Sequence, residues 1–234
     1  MEPTKTAIKR LASDIKNINN DPLESHGIYY KHDDENLLKG YAMIVGPENT
    51  PYSYGYYLFK IDFPYDYPYK PPVFTFCTNG DKIRMNPNLY RSGKVCVSIL
   101  NTWKGEQWSS CQTIRTVLLT LMTILNDKPL LNEPGFMESH RDFNSYNEII
   151  FYKNIEIAIL RIINNMESYP ISNFFIEEIK ELFLKNYDNI LKVIDSKAHV
   201  PNKLFTSIYD MNISVNYSDL KNNLTKLNKD LRVS

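Results

Sequence analysis

The pattern of apolar and polar positions changes character along the chain. Near the start, Ile8, Leu11, Ala12, Ile15 and Ile18 recur at the spacing of one helix face, with Lys5, Lys9, Arg10 and Lys16 largely off that stripe. The spacing predicts a first amphipathic helix that stops before Asp21-Pro22. Three short runs follow: GYAMIVG (40–46), YYLFKIDF (56–63) and VFTFC (73–77), separated by turn-formers such as Gly46-Pro47 and Asn79-Gly80. They predict an antiparallel meander. The intervening FPYDYPYKPP (63–72) has prolines too closely spaced for a helix interior or a central strand, and predicts a rigid aromatic loop.

The later part of the chain reads as helical. Ile114, Val117, Leu118, Leu121 and Leu125 form the stripe of a second helix that begins after Ser109-Ser110 and is ended by Pro129. Residues 144–167 predict further helices, with a break near Tyr152 where the apolar phase slips. Ser172 is expected to cap a helix carrying Phe175, Ile179, Phe183, Ile190 and Ile194, and Ser218 a last one through Leu220, Leu224, Leu227 and Leu231. The shift from β- and proline-rich to helical composition falls around residues 133–136. The organisation reads as α+β.

Charge narrows the choice of partners. Lys+Arg and Asp+Glu balance at 27 each over 234 residues, so no broad basic face for nucleic acid or anionic membrane is expected. No apolar run approaches the ~20 residues of a membrane span, and the first residues lack the apolar core of a signal peptide. The three cysteines have no regular spacing, which argues against a disulfide framework and for a reducing, intracellular setting, cytoplasmic or nuclear.

The same three cysteines are the candidate chemistry. They are too far apart for metal knuckles, the four histidines show no HExxH pairing, and neither GxGxxG nor GxxxxGK[ST] occurs, so no metal site or nucleotide cradle is expected. A cysteine–histidine dyad would have to use His140 or His199, neither in a diagnostic context. Cys77 continues the alternation of VFTFC and reads as core. Cys111 falls in the expected first turn of the second helix, where the dipole would lower its thiol pKa from ~8.5, so local electrostatics favour it. Cys96, in RMNPNLYRSGKVCVSIL, has no such advantage; the residues alone leave it between a half-buried core position and a nucleophile.

The order of motifs adds to this. Gly46-Pro47, Thr50-Pro51-Tyr52 and Gly55 precede Phe63-Pro64-x-x-Tyr67-Pro68-x-x-Pro71-Pro72. Then come Asn86-Pro87-Asn88, Gly93-x-x-Cys96 and Trp108-Ser109. The series resembles the ubiquitin-conjugating enzymes. Within that family the Asn-Pro-Asn, the SILNTWKGEQWS segment and the NEPGF run are similar to the Z type.

The resemblance implies an α+β core domain over 1–167, a four-stranded antiparallel sheet flanked by helices, with a helical C-terminal extension over 168–234, and a transferase that carries ubiquitin, or a ubiquitin-like modifier, as a thioester on Cys96. It implies Asn88 as oxyanion or loop support, Asn86 in place of the usual histidine, and Pro87 and Ser98 supporting the active-site loop. Glu133 would be the acidic group that receives the substrate lysine. Lys5, Lys9 and Arg10 would meet the activating enzyme, and Tyr69, Ser110 and Cys111 the ligase. No cofactor is implied, ATP being consumed upstream by the activating enzyme. Residues 101–107 would rim the site, making Lys104 a candidate for self-modification. Two other readings stand beside it: a catalytically silent ubiquitin-binding adaptor of the same fold, and a helical interaction module anchored by Phe174 and Phe175.

Overall fold

The computed structural model describes residues 2–197 and 201–233, with Met166 described by its backbone. Helix α1 (Lys5–Asn20) is capped by the Thr4 side chain, which accepts from the Ala7 amide. Strands β1 (Ile28–His32), β2 (Lys39–Val45), β3 (Tyr56–Asp62) and β4 (Val73–Phe76) then form one antiparallel meander in chain order. Cross-strand partners such as Ile44 with Tyr57 and Phe59 with Phe76 fix its register. Because side chains alternate faces along a strand, Ile44, Tyr57, Phe59 and Phe76 share the inner face, while Tyr41, Met43 and Tyr56 share the outer one.

The first helix buries a face rotated from the expected stripe: Leu11 and Ile18 are inside as expected, but Ala7 and Asp14 take the places of Ile8 and Ala12. Ala7, Leu11, Asp14 and Ile18 point inward, whereas Ile8 is 42% exposed. The reason is Asp14: its carboxylate accepts from the Tyr67 hydroxyl at 2.6 Å and from Arg10 Nε at 2.9 Å, so a polar residue occupies a core position. Satisfied hydrogen bonds make such burial tolerable, and hydropathy spacing does not register it.

Helix α2 (Ile114–Ile124) begins later than expected, because Thr113 and Thr116 form a reciprocal capping box. Cys111 therefore lies in the turn before the helix and not in its first turn. Helix α3 (Phe143–Lys153) does not break near Tyr152. It continues through a π-helical stretch (Asn154–Arg161) into α4 (Ile162–Asn164). The extra residue per turn absorbs the phase slip and carries Asn154 into the core, where Tyr57 donates to its Oδ1 at 2.7 Å and its Nδ2 donates to Ser53 O at 2.9 Å.

A 3₁₀ segment (Pro170–Phe175), with the Ser172 hydroxyl turned back to Tyr169 O, precedes α5 (Ile176–Asp195). Ser172 is thus not the expected cap. A hairpin not foreseen in the sequence, β5 (Lys203–Thr206) with β6 (Met211–Ser214), comes next. The last helix, α6 (Tyr217–Val233), is capped by Asn216, whose Oδ1 accepts from the Asp219 amide; Ser218 lies inside the helix.

The extension lies against the outer face of the sheet. Phe174 stacks on Tyr41 with ring centroids 3.9 Å apart, Lys31 pairs with Glu178 at 2.5 Å, and the Tyr56 hydroxyl donates to Ile179 O. Phe175, Ile179 and Phe183 belong to the same apolar cluster as the strands, so one core runs across the boundary at 167/168.

Candidate active site

The site is built on the loop after β4. The Phe76 amide donates to Gly93 O at 2.8 Å. Gly93 itself has φ +89°, and a Cβ there would stand 3.0 Å from Thr75 Cγ2 and 3.1 Å from Phe76 O, so only glycine lets the loop lie this close to the strand. Three residues on, the Cys96 amide donates to Asn88 O at 2.8 Å, and Asn88 Nδ2 donates to Cys96 O at 2.7 Å. The pair of bonds clamps residue 88 to residue 96.

Behind this clamp, Asn86 is fully buried. Its Oδ1 accepts from the Asn88 amide at 2.9 Å, while its Nδ2 donates to the Tyr52 hydroxyl at 2.8 Å and to Ile124 O at 2.7 Å. Both ends of the amide are thus used, which suits a group that holds position without titrating. Pro87 is buried, and its carbonyl accepts from Arg84 Nη2 at 2.7 Å. Ser98 is half-buried, its side chain lying against the place where a Gly105 Cβ would sit.

Cys96 is 2% exposed. Its Sγ donates to Thr102 O at 2.8 Å, so the segment expected to rim the site also covers the sulfur. The Thr102 hydroxyl accepts from the Val97 amide and donates to Val97 O, closing that cover. A nearby groove is lined by Pro72, Thr75, Lys94, Leu100 and Thr102, and Cys96 is not part of its lining. Burial pushes the Cys96 thiol above its ordinary range; the charges of Lys94 and Arg84 and a hydrogen bond from Tyr90 oppose this, and the Glu133 carboxylate adds to it. The Asn88 donor is engaged by the Cys96 backbone carbonyl rather than directed at a reacting carbonyl above the sulfur, and Asn88 Oδ1 is buried without a hydrogen-bond partner among the described residues.

Glu133 is the helix-like turn's final residue after Pro129–Asn132, half-buried, and near enough for its charge to act on the Cys96 thiol. Its Oε2 accepts from the Tyr209 hydroxyl of the extension. Burial and that carboxylate hold the Tyr209 phenol well above the ordinary tyrosine range.

Sequence reasoning missed the residues that support this arrangement. Arg84 is buried, and among the described residues no carboxylate pairs with it. It donates to Asn86 O and Pro87 O, and its guanidinium stands 3.3 Å from the Tyr90 ring centroid and 5.1 Å from that of Tyr209. Carbonyls and ring faces replace the usual counter-ion, and nothing in the pattern around residue 84 announces it.

The expected partner surfaces are placed unevenly. Tyr69 is 69% exposed, with Ser110 and Cys111 exposed on a second loop; Trp108 Nε1 donates to Pro68 O at 2.7 Å, tying the two loops together. Lys5 and Lys9 are exposed. Arg10 is less free than expected: it bonds Asp14 and donates to Ser110 O and Gln112 O, bracing α1 against the loop before α2. Lys104 is exposed. His140 is used locally, its Nδ1 accepting from the Asp142 amide, and His199 lies outside the described residues. Among the described residues no group of three or more His, Cys, Asp or Glu is gathered to hold a metal, and no helix is long and apolar enough to cross a membrane.

Comparison with known proteins bears directly on this site. The family model described as Ubiquitin-conjugating enzyme matches residues 10–156, which include the Asn86–Cys96 loop and Glu133. Among curated proteins, Ubiquitin-conjugating enzyme E2 Z of Danio rerio is 35% identical over 200 residues, 84% of this chain and 60% of the relative. The Homo sapiens protein of that name is 40% identical over 153 residues, 64% and 43% respectively. A Probable ubiquitin-conjugating enzyme E2 26 of Arabidopsis thaliana is 34% identical over 187 residues, 74% of this chain and 34% of the relative. The chain therefore spans less than two thirds of the length of these relatives. With the match running through the loop that holds Cys96 and over more than half of the sequence, the chain belongs to the ubiquitin-conjugating enzyme family.

Proposed function

We propose that this chain is a transferase that accepts ubiquitin, or a ubiquitin-like modifier, from an activating enzyme as a thioester on Cys96 and passes it to substrate lysines, usually with a ligase. The observation that carries the reading is the reciprocal clamp of Asn88 and Cys96, within a segment matched by the family model. In loading, the Cys96 thiolate attacks the activating enzyme's thioester carbonyl and that enzyme's thiolate leaves. In discharge, a lysine nitrogen forms the new amide bond, the carbon–sulfur bond breaks, and Cys96 leaves as thiolate. A thiol serves both steps because it is a good nucleophile and a good leaving group.

Glu133 is read as the group beside which the lysine, with free pKa ~10.4, gives up its proton. Asn88 is read as the residue that holds the loop while charge develops at the carbonyl. Tyr69, Ser110 and Cys111 are read as ligase contacts, and Lys5, Lys9 and Arg10 as activating-enzyme contacts. The chain itself requires no cofactor, and it works inside the cell, in cytoplasm or nucleus. The covered sulfur favours a second reading, a ubiquitin-binding adaptor without catalysis.

A non-reducing gel after mixing with activating enzyme, ATP and ubiquitin separates the two. The enzyme gives a reductant-sensitive adduct that is lost in Cys96→Ala, persists in Cys111→Ser, and becomes reductant-resistant in Cys96→Ser. Absence of an adduct in the parent removes the transferase and leaves the adaptor.

A further inference from the structure

The β5–β6 hairpin carries none of the residues read as reactive, yet its tip meets the site. Tyr209 has φ +60°, a conformation that side chains rarely adopt. It is held from several directions: its backbone carbonyl accepts from Arg91, its ring faces Tyr146 at 6.0 Å, and Arg84 approaches its ring at 5.1 Å. Next to it, the Asp142 carboxylate accepts from the Ser207 hydroxyl at 2.7 Å and the Ile208 amide at 2.9 Å, and Met211 Sδ accepts from the Arg84 amide at 3.4 Å. The extension thus presents one phenol, and that phenol donates to Glu133 Oε2.

We propose that Tyr209 is a positioning residue for the Glu133 carboxylate in the discharge step. The inference rests on the reading of Glu133 given above. A glutamate in a loop samples several rotamers; the Tyr209 donor fixes one oxygen and so fixes where the other points. Among the described residues the Glu133 carboxylate makes no other hydrogen bond or ion pair, which leaves Oε1 for the incoming amine. When the nitrogen–carbon bond forms and the carbon–sulfur bond breaks, the proton leaving nitrogen passes to Oε1 and then to water, and sulfur departs as thiolate. The strained backbone and the surrounding contacts act through the same point, since they set the direction of the phenol. Burial keeps that phenol protonated, hence a donor, across the working range.

The test uses the full chain, loaded with ubiquitin, the activating enzyme quenched, and free lysine as acceptor, in the parent, Tyr209→Phe, Glu133→Gln and the double variant. Among the described residues the Glu133 charge acts on Tyr209, Tyr146 and Cys96, and Arg84 acts on the same three groups; only Tyr209 is altered in Tyr209→Phe. Losing the donor that orients the carboxylate, Tyr209→Phe is expected to discharge about tenfold more slowly relative to its loading. The slowing should fall on kcat and not on KM for lysine, and the double variant should be no slower than Glu133→Gln.

A parental rate in Tyr209→Phe overturns the inference, as does a loss confined to KM or slowing that multiplies with that of Glu133→Gln. If Glu133→Gln discharges like the parent, the reading of Glu133 fails and any slowing by Tyr209→Phe belongs to the loop instead. If no thioester forms on Cys96, the transferase reading itself fails and the inference falls with it.

Discussion

Asn88 and Cys96 hold each other by two hydrogen bonds, the amide of residue 96 to the carbonyl of residue 88 and the side-chain amide of Asn88 back to the carbonyl of Cys96, at 2.8 and 2.7 Å. The second bond is the one a side-chain change removes. Asn88→Ala is expected to cost about 1 kcal/mol, lowering the melting temperature by roughly 2–4 °C, and to slow lysine discharge more than loading. Calorimetry and single-turnover discharge check this together. An unshifted melting temperature would mean that the side chain does not hold the loop.

The cover over Cys96 predicts an unreactive resting thiol. With its pKa pushed above the ordinary thiol range by burial, Cys96 is held largely as the thiol near neutral pH, and Thr102 O engages Sγ. Iodoacetamide should modify the exposed Cys111 several-fold faster than Cys96 near neutral pH, and the Cys96 rate should climb as the solution is made more alkaline. Thr102→Val, which deletes the hydroxyl that grips Val97, should speed Cys96 alkylation severalfold. Peptide mapping by mass spectrometry resolves the two sites.

Acid stability should depend on Asp81. Arg161 first, then Lys153, hold its carboxyl down at about 2, with Arg161 Nη1 and Nη2 at 2.9 and 2.7 Å and Lys153 Nζ at 3.0 Å. A depressed folded-state pKa gives stability that is present above the unfolded value near 4 and is lost as pH falls toward 2. Because the Asp81 side chain is 37% exposed, solvent screening limits the contribution to about 1 kcal/mol. Asp81→Asn should therefore destabilise the protein at pH 6 by that amount, and the gap between variant and parent should close as the pH falls from 4 to 2 in urea titrations.

Two adjacent phenylalanines should behave unequally. Phe175 is fully buried, and Phe175→Ala should cost about 3–5 kcal/mol. Phe174 is 39% exposed and stacks on Tyr41, so Phe174→Ala should cost about 1 kcal/mol. Equilibrium unfolding measures both; equal losses would mean that the extension does not sit on the sheet as described.

What the sequence made legible was whatever depends on local pattern or rigid motif. The strands over 40–46, 56–63 and 73–77 and the stripe Ile114–Val117–Leu118–Leu121 follow directly from spacing, and the motif order pointed to the loop around Cys96. What escaped depends on partners distant in the chain. Strand β1, IYYKH, mixes apolar and polar positions and is secured by pairing with β2. The π stretch kept one helix where the phase suggested two, because Asn154 satisfies Tyr57 and Ser53 inside the core. Tyr209 adopts a left-handed backbone without being glycine, and Arg84 is buried against carbonyls and ring faces; neither has a local signature.

The stacking of Phe174 on Tyr41 and the Tyr56–Ile179 bond have a consequence for synthesis. While the chain is still emerging from the ribosome, the strands that frame the cysteine loop come out before the extension, with the outer side of Tyr41 and Tyr56 bare. They wait for residues made more than a hundred positions later to close over them. A pause or premature stop before Phe174 would leave that aromatic surface open to chaperones and to other nascent chains, so a later-made part of the chain finishes an earlier one.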